Sequence, residues 1–158
     1  MEFRFVNKEK TIAVWGAHYL KLAPTDFNWT EFHCINFAGP IVAEHLRKQG
    51  ASATNLTQDE IIGFREAEPK HVGKVFDAGL ERLDKGGKLL IICPAGVHTS
   101  PITAAVLMKL RGRKLSEALK DVKSQRKPLN DQVEAMARFA RKTIAAYRQY
   151  LSSKTRKP

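Results

Sequence analysis

A run of aliphatic residues that delivers a cysteine into a short glycine-bearing loop is the part of this chain best suited to chemistry. Leu89-Leu-Ile-Ile-Cys93 reads as a buried strand, Pro94-Ala95-Gly96-Val97-His98-Thr99-Ser100 as a tight loop, and Pro101-Ile-Thr-Ala-Ala-Val-Leu-Met-Lys-Leu110 as an apolar helix. Such a passage is built to hold an anion. Successive backbone N–H groups curl around one point, and the first turn of the helix adds its unsatisfied donors and the positive end of its dipole. Cys93 would lie at the bottom of that cradle, where a thiolate is stabilised and could attack a bound phosphorus.

The elements that must carry this loop are legible on both sides of it. Thr11-Ile-Ala-Val-Trp15 reads as a first strand, and the polar and aromatic stretch through Pro24, Asp26 and Trp29 as a loop. Pro40 to Gln49 has helical spacing, with Pro40 suited to a first turn and Gly50 to the stop. Residues 51–56 form a short strand candidate. Val72, Val75, Phe76, Gly79, Leu80 and Leu83 repeat at helical spacing, which predicts a crossover helix from about Glu68 to Asp84, ended by Gly86-Gly87 and leading into a strand from Lys88 to Ile92. After the loop helix come a short helix from Leu115 to Lys123, with Ser116 as a candidate cap, and a long one from about Asp131 to Leu151, capped by Asn130. Val133, Met136, Phe139, Ala140, Ile144, Tyr147 and Leu151 form the apolar stripe of the long helix. Residues 152–158 read as a frayed basic tail. Strands alternating with helices, followed by helices alone, imply an α/β protein with a helical C-terminal part.

At 158 residues the chain suits one domain, spanning residues 1–151. Its charge is divided unequally: residues 1–100 hold 12 Lys and Arg against 12 Asp and Glu, whereas residues 101–158 hold 15 against 4, so the formal net charge of +11 belongs to the second part. An anionic partner is expected: a phosphorylated protein, a nucleic acid or an acidic surface. The bland alternative is a solvated helical face. Two cysteines, Cys34 and Cys93, are too few for a disulfide framework and lack metal-ligand spacing, so no metal or cofactor is expected. No apolar run is long enough for a signal peptide or a membrane span, which points to a cytoplasmic, reducing compartment.

The stretch from Lys85 to Asn130 resembles the signature region of cysteine-dependent protein tyrosine and dual-specificity phosphatases. That family's loop reads His-Cys, five residues, Arg, then Ser or Thr; here it reads Ile92-Cys93-Pro-Ala-Gly-Val-His-Thr99-Ser100. The cysteine, the Ala-Gly pair and the terminal serine match. Lys85-Gly-Gly-Lys88 before the strand strengthens the match, as do Leu110 to Leu119 and Val122 to Asn130 after the loop. The resemblance implies a single-domain phosphatase-like fold with a central, mostly parallel sheet flanked by helices. It also implies Cys93 as nucleophile, the loop from Pro94 to Thr99 as phosphate cradle, and Ser100 as the hydroxyl that helps the thiolate leave. For the general acid the family uses an aspartate some thirty residues before the cysteine, and Asp59 is the nearest candidate. The competing reading makes Asp59, with Glu60, an ordinary helix-start acid. In a further alignment residues 54–60 match an earlier strand and turn, and the acid-bearing loop is missing.

Two departures weigh against turnover. Thr99 stands where the family has the arginine, replacing a planar, charged fork by a single hydroxyl. Loss of such a charge at a transferring phosphoryl group commonly costs on the order of 10³–10⁵ in rate. Ile92 stands where the family's histidine helps keep the thiolate ionised, and an apolar neighbour pushes the other way. The groups that could compensate are His98 inside the loop and Arg111, Arg113, Arg126 or Lys127 after it. Phe32-His33-Cys34 to Pro40 imitates the motif with the wrong glycine spacing, and reads as a strand leading to a helix with Cys34 buried as a small hydrophobe. The leading expectation is therefore a catalytically impaired phosphatase-like protein that binds phosphate or a phosphorylated partner. An active atypical phosphatase using Cys93 and a basic nucleic-acid-binding protein are the alternatives, the latter weakened by the few aromatics among its charges. A sulfur-transfer domain of the rhodanese type also places a cysteine loop after a strand, but the long helical segment after Cys93 fits it poorly.

Overall fold

Five strands form one sheet in the order β1-β2-β5-β3-β4, in a computed structural model that describes residues 3–56, 69–94, 99–124 and 132–155. The strands are β1 (Arg4–Phe5), β2 (Ile12–Gly16), β3 (Phe32–Asn36), β4 (Ser52–Asn55) and β5 (Lys88–Cys93). Only β1 runs antiparallel to its neighbour; β2, β5, β3 and β4 are parallel. The helices are α1 (Pro40–Lys48), α2 (Pro69–Asp84), α3 (Thr99–Leu110), α4 (Leu115–Ser124) and α5 (Gln132–Thr155).

A strand covered on both faces has no wet side on which to place a polar residue, and this is why Leu89 to Cys93 is apolar throughout. Leu89, Ile91 and Cys93 face the core made with α2, α3, α4 and α5. Leu90 and Ile92 face a second core, made with α1 and an aromatic group of Phe3, Phe5, Trp15, Phe27, Trp29 and Phe32. Helix α3 is buried from Thr99 through Met108, so it runs through the interior rather than over it, and an all-apolar helix is what that position requires.

The expected α/β architecture is observed, with shifts that have local causes. The stretch expected as loop after β2 contains two 3-10 segments, Ala17–Leu22 and Trp29–Glu31. It covers one sheet face with aromatic side chains: Phe27 packs edge-on against Trp29 and stacks on Phe32. Strand β1 is absent from the sequence reading because two residues are too few to show alternation. Ser116 does not cap α4; Leu115 is already its first residue, so the serine lies one position inside the helix. On α2 the expected stripe is buried except for Leu80, which is half-buried. On α5, Met136, Ala140, Ile144 and Tyr147 are buried and Phe139 is half-buried, but Leu151 is 40% exposed. The side chain of Val133 and the cap Asn130 lie outside the described residues. Helix α5 continues to Thr155, so the first residues of the expected frayed tail are helical.

Candidate functional site

Cys93 is the last residue of the central strand β5, 3% exposed and level with Gly16 of β2. Two backbone hydrogen bonds fix the chain around it: Phe37 N–H donates to the carbonyl of Ile92 at 2.7 Å, and His18 N–H donates to that of Pro94 at 3.1 Å. Thr99 opens α3 at 2% exposure and Ser100 follows it, fully buried. The two ends of the predicted loop are thus held on rigid elements. Ala95, Gly96, Val97 and His98 lie outside the described residues, as do Asp59, Glu60, Arg126 and Lys127.

The position of this site follows from topology. Helix α1 leaves β3 toward one sheet face, and α3 leaves the adjacent β5 toward the other. Where neighbouring parallel strands send their chains to opposite faces, a crevice opens beyond their carboxyl ends, and ligands of open α/β sheets bind there. Cys93 ends one of the two strands bounding that crevice and Asn36 ends the other.

The hydroxyls of the loop helix are used differently. Thr103 donates its Oγ1–H to the Thr99 carbonyl at 2.7 Å, a bond back along the helix that needs no outside group. Ser100 Oγ is buried and has no hydrogen-bond partner among the described residues. As the second helical residue it is past the cap position, so the N-cap role open to it on sequence is not the one it plays.

Two of the basic groups that could have replaced the missing arginine are placed away from the loop. Arg111 and Arg113 follow the far end of α3, a 12-residue helix roughly 18 Å long. Arg111 Nη1 pairs with Asp84 at 2.6 Å, and Arg113 Nη1 with Asp121 at 2.6 Å. Both line a cavity of about 280 Å³ with Asn7, Thr11 and Ile12, at the amino end of β2. They lie at the opposite end of α3 from Cys93.

Cys34 is inert by location. It is fully buried in β3, and burial pushes its thiol up to about 12, against a smaller opposing pull from Arg82. The segment after it does carry something the sequence reading passed over. Asn36, buried at the end of β3, accepts from Ala38 N–H at 2.9 Å and donates to the Gly39 carbonyl at 3.1 Å and to Asn55 Oδ1 at 2.9 Å. Gly39 has φ +92°, a conformation that favours glycine. Asn36, Gly39 and Asn55, with Pro40, Leu56 and His71, line a cavity of about 460 Å³ at the same carboxyl edge of the sheet as Cys93. Its signal in the sequence was Asn-x-x-Gly-Pro between a strand and a helix, a second strand-to-helix turn of the kind read at Cys93.

Solved structures similar to this one include proteins named as phosphatases. Tk-PTP in its active form is 17% identical, with a TM-score of 0.61 over 90% of this chain and 96% of that one. Human DUSP28 is 20% identical, with a TM-score of 0.60 over 92% of this chain and 94% of its own. PTPMT1 is 15% identical at 0.59, covering 94% and 99%, and it has also been solved in complex with PI(5)P. No protein-family model and no curated protein sequence matches the chain. The chain has the fold of the cysteine-dependent protein tyrosine and dual-specificity phosphatases, as its loop sequence implied.

Proposed function

We propose that this protein is a catalytically impaired member of that structural class, which binds phosphate or a phosphorylated partner in the loop after β5 and turns it over slowly or not at all. The observation that carries this reading is Thr99, 2% exposed and first in α3, where the reaction would need a cation. Turnover requires Cys93 sulfur to bond to phosphorus while the ester P–O bond breaks and the departing oxygen takes a proton, for which Asp59 is the proposed donor. Water then displaces the sulfur, with the Ser100 hydroxyl assisting. Backbone N–H donors from Ala95 to Ser100 would serve the ground state and the transition state almost alike, and such uniform stabilisation binds an anion without accelerating its chemistry. A charge that grows in importance at the transition state is what Thr99 removes.

Supporting features are the enclosed and unpartnered Ser100 hydroxyl and the 460 Å³ cavity beside the crevice, roomy enough for the body of a phosphorylated ligand. The PI(5)P complex of PTPMT1 supports an anionic ligand in this fold. No helix of the described residues is long and apolar enough to cross a membrane; a cytoplasmic location is proposed, in keeping with two cysteines that are both free.

Hydrolysis of a small aryl phosphate by wild type, Cys93→Ser and Thr99→Arg, with inorganic phosphate or vanadate binding followed by thermal shift, tests this reading. The expected result is ligand stabilisation of the wild type, turnover near background, and a gain of at least about tenfold in Thr99→Arg. Robust wild-type turnover abolished by Cys93→Ser would make the protein an active atypical phosphatase instead.

A further inference from the structure

Helices α4 and α5 leave a groove between them. Leu115, Ser116, Leu119, Lys120 and Lys123 of α4 face Ala137 and Arg141 of α5 across a depression of about 440 Å³. A second depression of about 560 Å³ continues it along α5, sharing Ala137 and Arg141 and adding Glu134, Ala135 and Arg138. The floor is apolar: Leu119 is buried, and Leu115 and Ala137 are half-buried. The rim is cationic, with Lys120, Lys123, Arg138 and Arg141 all exposed.

The rim carries four cations against one carboxylate, Glu134. Among the described residues, the ion pairs made from residue 101 onward are those of Arg111, Arg113 and Lys154, and none involves the four rim cations. Lys120 and Lys123 are three apart on one helix, as are Arg138 and Arg141 on the other, so each pair repels across one turn. An apolar floor with an excess of cations on its walls complements a segment with one apolar face and acidic flanks.

We infer that the α4–α5 groove docks an acidic amphipathic segment of a partner protein, apolar face down, with carboxylates against Lys120, Lys123, Arg138 and Arg141. Two other classes of polyanion fit less well. Among the described residues no aromatic side chain lines the groove to stack a base, and a nucleic acid has no use for its floor. A membrane needs apolar residues that protrude, whereas the large exposed apolar residues among the described ones, Tyr19, Ile41 and Leu151, line neither depression. The inference stands whether or not the cysteine loop holds phosphate.

The test is fluorescence anisotropy with the full chain and a labelled peptide of about 18 residues, Leu on one helical face and Glu on the others. Comparators are poly-Glu, a duplex oligonucleotide and phosphatidylserine vesicles. The amphipathic peptide should bind tightest, and Lys120→Glu/Arg141→Glu should raise its Kd about tenfold or more, with the wild-type thermal midpoint retained. Lys48→Glu, on α1 at the opposite sheet face, should leave the Kd unchanged. Lys120→Gln and Arg141→Gln replace the double variant if it fails to fold. Undiminished binding by the groove variants, an equal loss in Lys48→Glu, poly-Glu binding as tightly as the peptide, or tighter binding of oligonucleotide or vesicles would each overturn the inference.

Discussion

Ser100 concentrates the tension between stability and function in one hydroxyl. A buried hydroxyl without a partner forgoes its hydrogen bonds to water, at a cost of about 1–3 kcal/mol. Thr103, one turn further on, avoids this by donating to the Thr99 carbonyl. Ser100→Ala should therefore leave the ligand-free protein as stable or more stable by about 1 kcal/mol in urea unfolding, while reducing the thermal shift given by inorganic phosphate. A helix cap would behave oppositely, losing about 1 kcal/mol on the same substitution. Sequence placed this serine correctly after the loop, since the resemblance fixed its position. Its burial and its unused hydroxyl were not legible there, because both depend on α3 passing through the interior, between the sheet and helices α2, α4 and α5.

At the scale of elements, the long C-terminal helix is held by its contact with α2. Tyr147 and Tyr150 donate to the two carboxylate oxygens of Asp77 at 2.7 and 2.9 Å, with Lys154 nearby at 3.4 Å. Burial alone would raise the Asp77 carboxyl, but these donors outweigh it and hold the group below its ordinary range. The close approach depends on Gly73, where an added Cβ would fall 2.0 Å from Tyr150 Cδ1, at the base of the ring, so that a rotamer change alone does not clear it. Gly73→Ala gains about 1 kcal/mol of helix propensity and loses about 1–3 kcal/mol to overpacking. A net loss of up to about 2 kcal/mol is expected in urea unfolding, and a gain would show that α5 can move aside freely. Glycine at that position shows how far periodicity reads. The stripe from Val72 to Leu83 predicted α2 and its buried face, because burial against one sheet imposes a single period. It was blind to which helix would cover Gly73, a contact made 77 residues away. Leu151 failed for the related reason that a stripe extrapolates beyond the end of the surface it covers. Arg111 and Arg113 were candidates near the loop in sequence, but α3 separates them from it by its full length.

At the scale of the whole molecule, an excess of positive charge on residues 101–158 is a standing repulsion that salt relieves. Exposed pairs such as Lys85 with Glu81 and Arg47 with Glu44 are worth about 0–1 kcal/mol each and weaken under the same screening. Repulsion among the larger number of unpaired cations should dominate. The thermal midpoint is expected to rise by about 2–4 °C between roughly 10 and 150 mM salt, and a fall would show that the pairs dominate instead. The sheet has one last consequence, for oxidation. Cys34 and Cys93 belong to adjacent strands but face opposite cores, and Cys34 is level with Leu90, three residues from Cys93, or roughly 10 Å along the strand. That separation exceeds what a disulfide spans. A sulfenic acid formed at Cys93 would have no resolving partner within the chain, and its recovery would depend on a thiol supplied from outside before further oxygen made the damage permanent.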